Sequence, residues 1–87
     1  MYTNKTYTCD PSVNWAPGAQ YKQSVLDKDT SQHEAIQTCT SMAGGRDFFV
    51  QQHRNNGHTI CGVYNQPLHN LQKREAHNHT YGAVCRR

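Results

Sequence analysis

Apolar residues are scarce in this chain. Hydrophobic types fill 34% of its 87 positions, with two Phe, one Trp and two Met among them. That share is below the usual one for a globular domain. A domain of this length also buries a modest fraction of its surface, so such a core stabilises it weakly. No apolar run approaches the length that a membrane-spanning helix needs. Charge of one sign is not concentrated either: nine Lys and Arg against six Asp and Glu give a net charge of +3. The dense Lys/Arg stripe of a nucleic-acid-binding surface is missing, so nucleic acid is not the expected partner. No cysteine pair is spaced C-x-x-C, which removes the usual zinc-ribbon and thioredoxin signals. There is no internal repeat and no low-complexity segment. One domain is expected over 1–87, with its core between about residues 9 and 85.

What the chain does have is four cysteines: Cys9, Cys39, Cys61 and Cys85. An even count in a short polar chain favours disulfides and an oxidising compartment. The competing reading is a cytosolic protein with free thiols. Asn4-Lys5-Thr6 and Asn78-His79-Thr80 both fit the N-glycosylation sequon, so Asn4 and Asn78 are candidate glycosylation sites. Such sequons also arise by chance. No signal peptide is visible; the expectation is a secreted, mature form with Met1 added for expression.

Local signals place one helix and several strands. Ser31-Gln32-His33-Glu34 fits a capping box, with Thr30 as the competing cap. Ala35, Ile36, Cys39, Met42 and Ala43 follow at helical spacing. Gly44-Gly45 supplies a stop. The helix therefore runs from about Gln32 to Ala43 with Cys39 on its buried face. Residues 3–9 and 21–26 read as short strands. Residues 10–20, with two prolines and a glycine, read as loop. Trp15 is read as an anchor packed under that loop rather than as a ligand platform. Asn56-Gly57 signals a hairpin between two β-prone runs. With these two as the turn, Asn55 pairs with His58 and Val50 with Val63. Alternation then sets Phe48, Val50 and Gln52 with Cys61 and Val63 on one face. Phe49, Gln51 and His53 share the other with Ile60 and Tyr64. Apolar groups on both faces put this hairpin in the middle of its sheet. Leu68–Lys73 reads as one turn of helix, and 81–85 as a closing strand.

Four cysteines allow three pairings. A helix packed on the hairpin favours Cys39–Cys61, which leaves Cys9–Cys85 to tie the ends together. By the chain-entropy argument these bridges contribute about 3 and about 4–5 kcal/mol. Together they rival the whole net stability expected of such a domain.

This layout resembles the apple/PAN domain superfamily, in a four-cysteine form. Cys39 within "HEAIQTCTSM" stands at the family's helix position. "DFFV" is similar to its aromatic strand, "TICGVY" to its next cysteine-bearing strand, and "YGAVC" to its final strand. The resemblance implies an α+β fold: a small, disulfide-stapled, twisted antiparallel sheet with one packed helix. It implies an inner bridge from helix to central strand and, in many members, an outer bridge between first and last strands. The further bridge of apple domains proper would fall near Ala43 and Arg46, and neither is cysteine. By analogy the function is non-catalytic recognition of an extracellular protein or carbohydrate, including the work of a host-directed effector or adhesin. Arg46, Arg54, Lys73, Arg74 and Tyr64 are the candidate binding residues. Arg86 and Arg87 are further basic groups that such a patch could gather. Tyr2, Tyr7, Tyr21 and Tyr81 are the other aromatics available for stacking.

A rival enzyme reading is carried by Tyr7-Thr8-Cys9 with Cys85. That pair is similar to small secreted fungal effectors of ribonuclease-like fold. Cleavage of RNA would need a Glu base, a His acid and an Arg on the phosphate; Glu34, His58 and Arg54 supply the types. No nucleophile motif accompanies them. His77 and His79 have strand spacing for a shared ion, but two ligands are too few, and solvated loop histidines are the simpler reading. No cofactor and no metal are expected.

Overall fold

The computed structural model of this chain describes residues 2–3, 7–11, 20–67 and 79–87. Its elements follow in the order β1 (Tyr2–Thr3), β2 (Thr8–Asp10), β3 (Gln20–Leu26), α1 (Gln32–Ala43), β4 (Phe48–His53), β5 (Thr59–Tyr64) and β6 (His79–Arg86). Five strands form an antiparallel sheet in the order β2-β6-β4-β5-β3, and the two-residue β1 widens it beside β2. With one helix across the sheet and two disulfides, the chain is a small α+β protein. No described helix is long and apolar enough to cross a membrane.

α1 begins where its cap is. Ser31 is extended (φ −68°, ψ 158°), and its side chain accepts the Glu34 amide at 3.2 Å. Gly44 ends the helix at φ 59°, a left-handed conformation that a Cβ disfavours. Between these points Ala35, Ile36, Cys39 and Ala43 are buried, and Met42 is half-buried. This stripe packs on β4 and β5. The core beneath it holds Phe48, Val50, Cys61, Val63, Ala83 and Cys85, with Tyr7 and Cys9 at its edge. The Tyr7 ring meets Phe48 edge-on, with centroids 5.0 Å apart. Cys39 is bonded to Cys61, joining helix to sheet across Cα atoms 6.0 Å apart. Cys9 is bonded to Cys85, its direct partner in the β2–β6 ladder.

The opposite face of the sheet is also closed. Phe49, Tyr64 and Val84 are buried there. Phe49 lies directly across from Gly62, and a Cβ at that glycine would come within 2.1 Å of the ring. The Tyr64 ring leans on Phe49 at 5.7 Å.

The hairpin differs from its expected register. Val50 pairs with Cys61, not Val63, and Phe48 pairs with Val63. The turn is four residues long, 54–57, closed by the bonds from His53 N to His58 O and from Gly57 N to His53 O. A two-residue turn would need positive φ at both Asn56 and Gly57. Only Gly57 has it (φ 74°). Asn56 instead turns its side-chain oxygen to the His58 amide at 2.9 Å, a local bond that competes with the tighter turn. The slip is two residues, so every side chain keeps its face. Phe48, Val50 and Cys61 remain under the helix.

A polar network locks this hairpin end. The Gln52 amide nitrogen reaches Thr30 O, Gly57 O and Thr59 Oγ1 at 3.2, 3.2 and 3.3 Å. The Tyr81 hydroxyl donates to Thr30 O at 2.7 Å and lies 3.0 Å from Thr59 Oγ1. Asp29 N donates to Gly57 O at 3.1 Å. The loop from β3 into α1 is thereby tied to the hairpin tip.

Candidate functional site

The far end of β4 is built differently. Gly44 and Gly45, both at positive φ, bring the chain off the helix and deliver Arg46 and Asp47 to the sheet. Asn65, Gln66 and Pro67 leave β5 at the same end, and Arg86 and Arg87 close β6 there. These residues line a cleft of about 360 Å³, a size within the range of small-ligand sites.

Its frame is fixed by backbone bonds. The Tyr7 hydroxyl donates to Arg46 O at 2.6 Å. Tyr64 N donates to Asp47 O at 2.9 Å. The Asp47 carboxylate is 7% exposed and accepts the Arg87 amide at 3.0 Å. That bond pins the end of β6 to the start of β4. Burial pushes the Tyr7 hydroxyl above the ordinary tyrosine range; the Arg87 charge pulls it back and Asp47 adds to the rise. Tyr7 is therefore a neutral donor at physiological pH.

The cationic side chains sit on this frame. The Arg46 guanidinium stacks over the Tyr21 ring at 4.4 Å, an attraction that orients it while leaving its edge for acceptors. Arg87 Nη1 donates to Gly45 O at 3.3 Å. A Cβ at Gly45 would approach that nitrogen to 3.0 Å, so the glycine makes room for the guanidinium. Three arginines thus face one opening whose single carboxylate is already engaged by the backbone. Such an arrangement is chemically suited to an anion. Guanidinium forks match carboxylate and sulfate oxygens in pairs, and the Asn65 and Gln66 amides add neutral donors and acceptors.

The expected binding residues separate. Arg46 lines the cleft. Arg54 does not: it lies in the hairpin turn, beyond the other end of the six-residue β4, about 20 Å of strand away. Tyr64 is corrected outright, because its ring is 1% exposed and presents no surface to a partner. The alternation that places it beside Phe49 buries it on the closed far face. Tyr7 is likewise buried, and Tyr81 half-buried, whereas Tyr21 is 55% exposed. Lys73, Arg74, Asn4, Asn78, Trp15, His77 and the expected helical turn at 68–73 lie outside the described residues.

Of the ribonuclease-type groups, Arg54 and His58 both lie at the hairpin tip, in and beside its turn. Glu34, exposed in the first turn of α1, lines a cavity with Val25, Leu26, Asp27, Thr30 and Thr38. Neither Arg54 nor His58 lines it. Among the described residues no group of three or more His, Cys, Asp or Glu could hold a metal ion. Asp47, Asn65 and Gln66 escaped the sequence reading. No motif marks them, and only the pairing of β4 with β5 and β6 assembles them.

Comparison with protein-family models, curated proteins and solved structures yields no significant match.

Proposed function

We propose that the chain is a secreted, non-catalytic binding module of apple/PAN type that takes an anionic sugar unit into the cleft at Arg46, Arg86 and Arg87. One observation carries this reading: Arg46, ahead of β4, and the consecutive Arg86 and Arg87 at the end of β6 line one open, amide-lined cleft. A planar carboxylate or a tetrahedral sulfate on a glycan chain each presents a pair of oxygens that such a fork can bond. The two bridges support an oxidising, extracellular setting. A helix stapled to a central strand and a clasp between end strands support the family resemblance. Glu34 lines a cavity that neither Arg54 nor His58 lines, which favours binding over RNA cleavage.

The test is titration calorimetry with a sulfated oligosaccharide and its desulfated counterpart. The sulfated chain binds and the desulfated one does not. Raising salt weakens the interaction, since exposed charges are screened. Arg46→Gln combined with Arg87→Gln lowers affinity at least about tenfold, the effect of losing charge-assisted bonds worth roughly 1.5 kcal/mol or more. Equal affinity for both sugars, or RNA turnover lost in His58→Ala and Glu34→Ala, would overturn the reading.

A further inference from the structure

An irregularity in β3 brings Tyr21 to the cleft. The strand starts at the cleft end of the sheet, where Gln20 pairs with Tyr64 and the residues after Tyr64 enter the cleft wall. From Lys22 to Leu26 it pairs with β5 residue for residue. Between Gln20 and Lys22 the register shifts, and Tyr21 is the residue left over. An extra residue of this kind re-aims a side chain out of the strand's alternation. Here the ring meets Arg46, whose guanidinium lies over it 4.4 Å from the centroid.

The rest of the ring is open. Tyr21 is 55% exposed, and β3 is the last strand of the sheet. Among the described residues no other charged or aromatic group stacks on it. Arg46 is shared, since it both lines the cleft and covers part of Tyr21. The uncovered ring surface is therefore one side chain away from the cleft.

We infer that Tyr21 is the platform for a second sugar unit, so that the site takes a chain of at least two units. The charged unit enters the cleft, and an uncharged neighbour lays its C–H surface on the ring. This rests on the reading of the cleft as an anionic-sugar site. A pyranose carries hydroxyls around its rim and C–H bonds across its face. The faces of an aromatic ring are negative, which draws the positive ends of those bonds. Bringing the two surfaces together also removes apolar area from water. The hold of Arg46 helps, because a ring already fixed in place loses little freedom when it is covered. A lone charged unit does not reach this surface, and neither does free sulfate. Contact area therefore adds to charge in choosing the ligand.

Calorimetry on the whole chain tests this with two probes: a monosulfated hexose, and a disaccharide of that unit joined to an uncharged hexose. The disaccharide binds about fivefold tighter, the effect of one good aromatic contact. In proton spectra the C–H signals of its uncharged unit move upfield, because they lie over the ring. Tyr21→Phe keeps both results. Tyr21→Ala, at an exposed position outside the core, leaves the fold intact and abolishes both. Tyr21 also holds Arg46, so the decisive readout is the ratio of the two affinities. Disturbing Arg46 weakens both sugars alike and leaves the ratio unchanged, whereas losing the platform removes the disaccharide's advantage. Equal affinities in the unmodified chain, or an advantage that survives Tyr21→Ala, would overturn the inference while the cleft reading stands. Binding of neither sugar would overturn both.

Discussion

At the hairpin end of β4, Gln52, Thr59, Tyr81 and the Thr30 and Gly57 carbonyls satisfy one another. At the Phe48 end, the buried bonds involve backbone and Asp47, and the guanidinium groups of Arg46, Arg86 and Arg87 are turned to a cleft. Both ends are polar. One spends its polar groups on holding the β3–α1 loop against the hairpin tip. The other fixes a frame and lines a cleft with charge. Side-chain polarity alone therefore says little about where a partner binds; what matters is whether the polar groups line an opening that a ligand can enter.

Perturbing the two ends should separate stability from binding. The largest effect is expected from the outer bridge, because Cys85 immediately precedes Arg86 and Arg87. Replacing Cys9 and Cys85 by alanine should cost about 4–5 kcal/mol in a urea melt, and sugar binding should fail with it. A bridge-less variant that still binds would show that the Asp47–Arg87 bond holds the cleft by itself. Next in size is Gln52→Leu. It removes the Gln52 donor from the Thr30 and Gly57 carbonyls, which keep Tyr81 and Asp29 respectively, and should cost about 1 kcal/mol, while affinity in the folded protein stays unchanged. Loss of binding in that variant would mean that the two ends are coupled through β4. The smallest effect at neutral pH concerns the tyrosines. Burial raises the hydroxyl of Tyr7 at the cleft end and, with Thr59 opposing, that of Tyr81 at the hairpin end above the ordinary value of 10.0. A group whose folded pKa is raised holds its proton more tightly when folded. Its contribution is therefore complete below pH 10.0 and lost as pH climbs through the raised values. Ultraviolet titration of tyrosinate should show both ionising late and with unfolding. Early titration of either would remove the burial argument for that end.

Much of the framework was legible because its signals are local. The Ser31 cap, the Ala35–Ile36–Cys39–Ala43 stripe and the Gly44 stop specify α1 within a dozen residues. The cysteine pairing is legible from faces, since Cys39 and Cys61 sit on surfaces that turn toward each other. The hairpin register was not, because Asn56 had a side-chain alternative to the left-handed backbone that a two-residue turn demands. The stretch read as one strand over 3–9 runs from the end of β1 to the first two residues of β2, and these two strands pair with each other. The cleft was half visible. Arg46, Arg86 and Arg87 could be named as basic groups, but only the pairing of Phe48 with Cys85 brings them to one end. The burial of Tyr64 was not legible because an aromatic side chain suits a stacking surface as well as a core. Burial of both faces, which the apolar alternation on the hairpin already hinted at, places it inside.

The contact of Phe49 with Gly62 carries a last consequence. Gly62 lies in a central strand and is not among the glycines of positive φ, so any residue could adopt its backbone angles. What forbids a side chain is the ring above it. A saturation library at position 62 should therefore be nearly empty of folded members. Trimming Phe49 to a smaller residue should restore some of them, making the two sites a lock and its key across neighbouring strands.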